Sequence, residues 1–416
     1  LLGHSEFAVR FFSPFTYALG SLVVFLTTRE VYDQRSAFWA ALSWLLLPSV
    51  SLSASVMSTD PFMLMMEALV LYSFVKAIKT EHLIYWISLG VFLGLSILSK
   101  YTALFFIISA FIYLFWSQRY LLTKPSIYLS VGICFIILWP NLLWNMHHHF
   151  LAIQHVSQHN LALNQASFHP FGLIKFWLAQ MGMLGPFFLI ALFFLIKERH
   201  TWKLEQSDKL FLSFILPLFI TVSLEELLVH GYDNWAAGIY MPLIIWLSHY
   251  LVQTHRLNYL KWNLKFSLLM LVIVYGVELT LHLNSWQLYD RINPYKRQQG
   301  WHQTQAQMQA LQQQYPHTNY LFDSRVNLFK SLFYLGLNPT DVYFWGNQQA
   351  AQNEYNLNTQ LENAKGESFI FITNFPDQAD LFKLFRSAKL IQVIKLPVSS
   401  DKNENLYWFL LVDYRG

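Results

Sequence analysis

The chain has 416 residues, of which 55% are hydrophobic, 18% aromatic and only 12% charged, with a formal net charge of +4. A soluble domain carries about 25% charged residues, so this composition excludes a disordered chain and argues against a soluble enzyme. The single cysteine, Cys134, excludes an intrachain disulfide. No basic block of the kind that nucleic acid needs is present, so no nucleic-acid partner is expected.

Apolar segments dominate the chain up to about residue 283. A membrane-spanning helix needs roughly 20 apolar residues, and ten segments approach that length. In chain order they are 11–27, 37–54, 61–75, 85–98, 103–116, 127–144, 171–196, 210–228, 236–252 and 266–283. The seventh contains Gly182, Gly185 and Pro186, and we expect a kink there because proline removes a backbone donor. Residues 1–283 are therefore predicted to form an α-helical polytopic membrane bundle.

The remainder, residues 284–416, has the composition of a soluble domain. A polar, Gln-rich helix is expected over 300–314, and two further helices over 326–334 and 378–385. Short apolar and aromatic runs predict strands at 320–323, 342–345, 369–372, 390–395 and 406–412. The tail is thus predicted to be a small α/β domain.

The loop charges predict an orientation in the membrane. One set of loops carries nearly all the basic residues: Arg29, Arg35, Lys76, Lys79, Arg119, Lys124, Lys197, Arg199, Lys203, Lys209, Arg256, Lys261 and Lys265. Basic loops face the cytoplasm. With ten spans, both chain ends and the α/β domain are then expected outside the cytoplasm.

Polar residues at the opposite membrane face are functional candidates, because charged groups near spans are costly. They are Arg10, Asp60, Lys100, Asn145, His147, His148, His149, Glu225, Glu226, His230, Asp233 and Asn234. Tyr101, Trp144 and Trp235 offer flat rings to a sugar or belong to the interfacial aromatic belt. Glu67 and Glu278 lie inside spans, and the sequence assigns them no role.

Each candidate has a structural alternative. Asp60 precedes Pro61 and is compatible with a helix cap, and Arg10 with an interfacial anchor. Lys100 lies between two spans that nearly touch, which leaves it little room to snorkel and favours a functional role. Consecutive histidines such as His147–His149 rarely converge on one ion, and no cysteine or close carboxylate completes a set. No metal or other cofactor is therefore expected, with a divalent metal as the lesser alternative.

Six stretches of the sequence, in order, carry a resemblance to a known family. They are Ser5–Arg10, Ser58–Phe62, Gly90–Ala103, Leu142–His148, Asp233–Tyr240 and Gly300–Trp301. Together they resemble glycosyltransferase family 39, the bacterial branch related to protein O-mannosyltransferases and to the aminoarabinose transferase of lipid A. Each stretch alone is a weak signal, whereas six in order over matching spans are a strong one.

The resemblance implies a GT-C-type bundle that transfers a sugar, with inversion, from a polyprenyl-phosphate donor to a hydroxyl of an envelope glycolipid, glycan or protein. It implies a multi-pass protein of the bacterial cytoplasmic membrane with a periplasmic active face. Asp60 and Lys100 are the implied catalytic residues, and the implied substrate-binding residues are Arg10, Tyr101, Asn145, His148, Asn234, Trp235 and Tyr240. The principal base of the family lies in a first external loop, which we expect, with one span, upstream of Leu1.

Two other functions are compatible with the sequence. A transporter or flippase for a lipid-linked glycan shares the hydropathy and the aromatic belts, but such folds often show paired repeats, which this sequence lacks. An enzyme-like structural or regulatory subunit is the third hypothesis, since the expected base is absent from this chain.

Overall fold

The computed structural model describes residues 5–148, 150–151, 168–197, 205–229, 232–282, 299–346, 355, 359 and 361–416. The chain divides into two compact units, Leu1–Tyr275 and Gly276–Gly416. The first unit is helical, and the second contains a five-stranded sheet.

Helices make up the first unit, and the last of them continues past Tyr275 into the second unit. In chain order they are α1 Glu6–Arg10, α2 Phe12–Val31, α3 Gln34–Leu45, α4 Pro48–Ala54, α5 Asp60–Thr80, α6 Leu83–Ser99, α7 Leu104–Ser117, α8 Pro125–His147, α9 Pro170–Leu184, α10 Pro186–Lys197, α11 Gln206–Leu228, α12 Tyr240–Gln253 and α13 Leu257–His282. Within the described residues, six helices are long and apolar enough to cross a membrane, and two bent pairs raise the number to eight. α6 and the Tyr101–Ser117 segment are shorter apolar helices.

Local sequence explains where several helices begin and end. α5 begins with Asp60 and Pro61, which suit a first turn, and ends at Glu81 in the left-handed conformation. α9 ends at Gly185, whose φ of +90° favours glycine, and Pro186 opens α10. The kink expected from Gly185 and Pro186 is therefore confirmed as a break between two helices.

Glycines allow two of the helices to pack closely. A Cβ added to Gly90 of α6 would lie 2.5 Å from the Ser130 carbonyl oxygen of α8, and one added to Gly94 would lie 2.9 Å from Ile137. The Ser130 hydroxyl donates to the Trp86 carbonyl over 2.6 Å. The fit of α6 against α8 fixes the end of α6, where Lys100 lies.

The second unit contains α14 Trp301–Gln313, β1 Asn319–Phe322, α15 Arg325–Leu335, β2 Val342–Phe344, β3 Phe369–Thr373, α16 Ala379–Phe382, β4 Phe385–Pro397 and β5 Asn403–Tyr414. The strand order is β2-β1-β3-β5-β4, with β1, β2 and β3 parallel and β5 antiparallel to both β3 and β4. One apolar cluster packs α14 and α15 on one face of the sheet, and a second packs Leu361, Ala364 and Leu381 on the other. The predicted α/β domain is confirmed.

The prediction for residues 378–385 was wrong in extent. The helix there is the short α16, Ala379–Phe382, and Phe385 already begins β4. β4 also starts five residues before the predicted strand, because it pairs with β5 along its whole length. As an edge strand it tolerates exposed polar residues such as Arg386 and Lys389, which obscure the strand pattern in the sequence.

Candidate active site

Three of the predicted site residues are in direct contact at one end of the helical unit. The Lys100 ammonium lies 2.8 Å from Asp60 Oδ1, and the Asn234 amide donates to Asp60 Oδ2 over 3.0 Å. The Lys100 and Asp60 side chains are only 20% and 16% exposed. Solvent therefore screens this ion pair less than it screens a surface pair.

Helix ends place these three side chains. Asp60 is the first residue of α5, where the helix dipole favours a carboxylate. Lys100 is extended, with φ −159°, between α6 and the short 3₁₀ turn Tyr101–Ala103. Asn234 belongs to the 3₁₀ segment Asp233–Ile239 that precedes α12. The Asp60 oxygens bond to Lys100 and Asn234, and the N-cap position of α5 is taken by Thr59, so the carboxylate is not a helix cap.

A cavity of about 50 Å³ lies beside this contact. It is lined by Asp60, Asn234 and Tyr240, which the sequence singled out, and by eight residues that it did not: Tyr17, Trp44, Ser49, Val50, Ser53, Leu64, Met183 and Ala237. Ligand pockets typically enclose about 300–1,000 Å³. This cavity is therefore too small to enclose a whole sugar donor.

Hydrogen bonds fix the cavity walls. The Tyr17 hydroxyl donates to the Ser53 hydroxyl over 2.8 Å, and the Tyr240 hydroxyl donates to Gln180 Oε1 over 2.5 Å. Gln180 is 4% exposed. Sequence reasoning missed Tyr17, Ser53 and Gln180, because isolated polar residues in apolar spans are common and only their tertiary neighbours distinguish them.

A second polar cluster adjoins Lys100 in the chain. The Tyr101 hydroxyl donates to Asn141 Oδ1 over 2.9 Å, and the Asn145 amide lies 3.2 Å from the same oxygen and 3.3 Å from the Tyr101 hydroxyl. Asn145 is 3% exposed. Tyr101 and Asn145 are thus brought together as predicted candidates. Asn141 was missed, although its spacing of four residues from Asn145 on one helix was the available signal.

The remaining candidates do not line the cavity. Arg10 pairs with Glu6 of its own helix at 3.3 Å. His148 stacks on Trp144 with ring centroids 4.3 Å apart, and Trp235 lies 6.0 Å from the Tyr232 ring. His149 and His230 fall outside the described residues, within which no group of three His, Cys, Asp or Glu side chains is placed to hold a metal.

Glu67 lies inside α5, two turns after Asp60, and is 1% exposed. A Cβ added to Gly238 would lie 3.4 Å from both Glu67 carboxylate oxygens and 3.1 Å from Leu218. Gly238 therefore lies against the buried Glu67 carboxylate, in the same 3₁₀ segment as Asn234. Glu67 itself does not line the cavity.

The fold matches a known architecture. The structure is similar to the crystal structure of ArnT from Cupriavidus metallidurans in the apo state, with a TM-score of 0.62 and 11% sequence identity. The match covers 96% of this chain and 83% of that chain. The chain is therefore a polytopic membrane protein with the GT-C fold and a C-terminal α/β domain, as the resemblance implied.

Sequence comparisons agree with this fold. Residues 1–144 match the family described as dolichyl-phosphate-mannose-protein mannosyltransferase. The chain is 24% identical over 263 residues to lipid A galacturonosyltransferase RgtD from Rhizobium johnstonii. That match covers 61% of this chain and 52% of RgtD, so it spans about half of the relative's length. These findings confirm the resemblance to the GT-C glycosyltransferases.

Proposed function

We propose that this protein transfers a sugar from a polyprenyl-phosphate donor to a hydroxyl of an envelope glycolipid, with lipid A as the first acceptor to test. The GT-C fold and the family match support this class of reaction. The name of the relative RgtD, a lipid A galacturonosyltransferase, supports the acceptor and suggests galacturonic acid as the sugar.

The observation that carries the proposal is the Lys100–Asp60–Asn234 contact at the cavity. A lysine ammonium has three N–H donors, and Asp60 accepts from one of them. The others are available to the donor phosphate, whose negative charge grows as it leaves. A fixed cation at that point stabilises the leaving group in the transition state.

The reaction balances as a single displacement. The acceptor oxygen attacks the anomeric carbon while its proton passes to a base, the role that the family resemblance gives to a carboxylate of a first external loop. The bond from the anomeric carbon to the phosphate oxygen breaks, and polyprenyl phosphate leaves with that electron pair. Attack opposite the leaving group inverts the anomeric centre.

The other candidate residues receive roles within this proposal. Asp60 positions Lys100, because both of its oxygens already accept hydrogen bonds. Asn234 and Tyr240 line the cavity and face the sugar, and the Tyr101–Asn145 cluster contributes hydrogen bonds near the donor or acceptor. We assign Arg10, His148 and Trp235 to positions outside the cavity, where they contact the donor phosphate or the acceptor as these approach.

We further propose that the site and the α/β domain face the extracytoplasmic side of a bacterial cytoplasmic membrane. The basic loops support this orientation. A polyprenyl-phosphate donor fits that side, since it needs no nucleotide sugar there.

The test uses the purified protein in detergent with polyprenyl phosphate-linked galacturonic acid and lipid A. Sugar transfer by the wild type and its loss in Lys100→Ala support the proposal. Lys124→Ala is the matched control, because Lys124 also forms an ion pair, with Glu81 at 3.0 Å, but in a loop assigned to the opposite face. Undiminished transfer in Lys100→Ala contradicts the central assignment. In a parallel assay with the protein reconstituted into lipid vesicles, movement of the lipid donor across the bilayer without transfer would identify a flippase.

A further inference from the structure

Four side chains of the C-terminal domain form a row across one face of the sheet. Thr373, the last residue of β3, pairs with Tyr407 of β5, and Asp323 and Trp345 each lie one residue beyond the paired Phe322 and Phe344. Side chains alternate between the two faces of a strand. One apolar cluster and the residues packed against it include Leu321, Phe371, Phe409 and Tyr343. Each residue of the row lies two positions along its strand from one of these four, so the row lies on the same face of the sheet as the cluster.

The centre of this row is a carboxylate with one unused oxygen. Asp323 Oδ2 accepts from the Thr373 hydroxyl over 2.6 Å and from the Gln378 amide over 3.1 Å. Asp323 Oδ1 is buried and has no hydrogen-bond partner among the described residues. Burial raises the pKa of this carboxyl. A buried acceptor without a donor is unfavourable, and a ligand hydroxyl would satisfy it.

The row lies where sheets of this type bind ligands. The strand order β2-β1-β3 places β2 and β3 on opposite sides of β1. Ligands of open α/β sheets bind outside the carboxyl ends of the strands, at the point where the strand order reverses. Asp323 follows β1 and Thr373 ends β3, so both lie at that point.

Aromatic rings and the Gln378 amide lie near the carboxylate. Trp345 lies next to Asp323 in the row, and Tyr407 lies on the far side of Thr373. Both rings are partly exposed, and Phe375, two residues after Thr373, is 64% exposed. Flat rings beside a carboxylate and an amide match the apolar faces and hydroxyls of a sugar. The carboxylate charge disfavours phosphate and other anions.

From this row we infer a second binding site, in the C-terminal domain, for a neutral pyranose of the acceptor glycan. Asp323 and Gln378 bond to sugar hydroxyls, and Trp345 or Tyr407 contacts the ring face. The inference rests on the proposed function for the source of the sugar, but binding itself requires no transfer.

The test is saturation-transfer NMR on the full chain in detergent, with methyl α-mannopyranoside, methyl β-glucopyranoside and inorganic phosphate as probes. All measurements are made in a Lys100→Ala background as well as in the wild type, so that sugar held in the bundle is recognised. Asp323→Asn, Gln378→Ala and Trp345→Ala are the test variants. Asp341→Asn is the matched control, because Asp341 immediately precedes β2 and so lies at the amino end of that strand, whereas the row lies at the carboxyl end.

We expect at least one glycoside to bind, phosphate not to bind, and the affinity for the glycoside to fall about tenfold in each test variant, equivalent to about 1.4 kcal/mol. Binding should persist in Asp341→Asn and in the Lys100→Ala background. Gln378→Ala alters a partly exposed side chain and keeps the test valid if Asp323→Asn unfolds the domain. Three results would overturn the inference. The first is wild-type affinity in both Gln378→Ala and Trp345→Ala, the second is loss of binding in Lys100→Ala, and the third is that neither glycoside binds. If the protein binds the glycoside but transfers no sugar, the result contradicts the proposed function and leaves the second binding site standing.

Discussion

The proposed role of Asp60 as a positioning residue leads to a quantitative prediction for Asp60→Asn. The substitution keeps the size of the side chain and an oxygen for Lys100, but removes the negative charge. Hydrogen bonds to charged groups contribute about 1.5–3 kcal/mol. Because the Lys100 and Asp60 side chains are 20% and 16% exposed, we take the lower end, about 1.5 kcal/mol. Transfer should then slow about tenfold in kcat/KM.

Lys100→Ala should be more severe, since it removes the cation that we propose meets the donor phosphate. Loss of one transition-state donor typically costs about 100-fold or more in rate. If Asp60 acts only through Lys100, adding Asp60→Asn to Lys100→Ala should change the rate by less than about twofold. The assay measures kcat/KM for the lipid donor at saturating lipid A.

Glu81→Gln is the control for this cycle, because Glu81 pairs with Lys124 at 3.0 Å in another loop. It should leave transfer unchanged. The reasoning is refuted if Asp60→Asn is as damaging as Lys100→Ala, or if it lowers the rate further in the double variant. Either result would mean that Asp60 acts on the reacting groups directly.

Three further predictions concern stability. Gly90→Ala places a methyl group against the Ser130 carbonyl and should destabilise the bundle by about 1–3 kcal/mol. Gly132→Ala, with no atom within 4 Å of the added Cβ, should not, and melting temperatures compare the two. Tyr240→Phe removes a buried hydrogen bond and should cost about 1 kcal/mol, again measured as a lower melting temperature; an unchanged value contradicts this. Burial raises the Asp323 pKa, so the domain should lose stability as pH rises from about 4 through the folded-state pKa. Hydrogen exchange of β1 and β3 should show this, and Asp323→Asn should abolish the dependence.

Hydropathy predicted much of the architecture. A chain that crosses a membrane must satisfy every backbone group inside each span, so the apolar segments between residues 11 and 283 predicted helices, and the polar tail predicted a separate α/β domain. Lys100 and Asp60 were also accessible from sequence, because charged side chains beside spans are costly and rarely incidental.

The assembly of the site was decided by tertiary structure. Asp60 is 40 residues from Lys100 and 174 from Asn234, and only the packing of the helices brings the three together. Tyr17 and Gln180 look like ordinary span residues until their neighbours are known.

The C-terminal domain shows the same division. The sequence predicted its strands, because apolar and aromatic runs are local features. It could not place Trp345, Asp323, Thr373 and Tyr407 in one row, since strand order and register depend on pairing between segments far apart in the chain. Local pattern thus determined which elements form, and long-range packing determined which side chains meet.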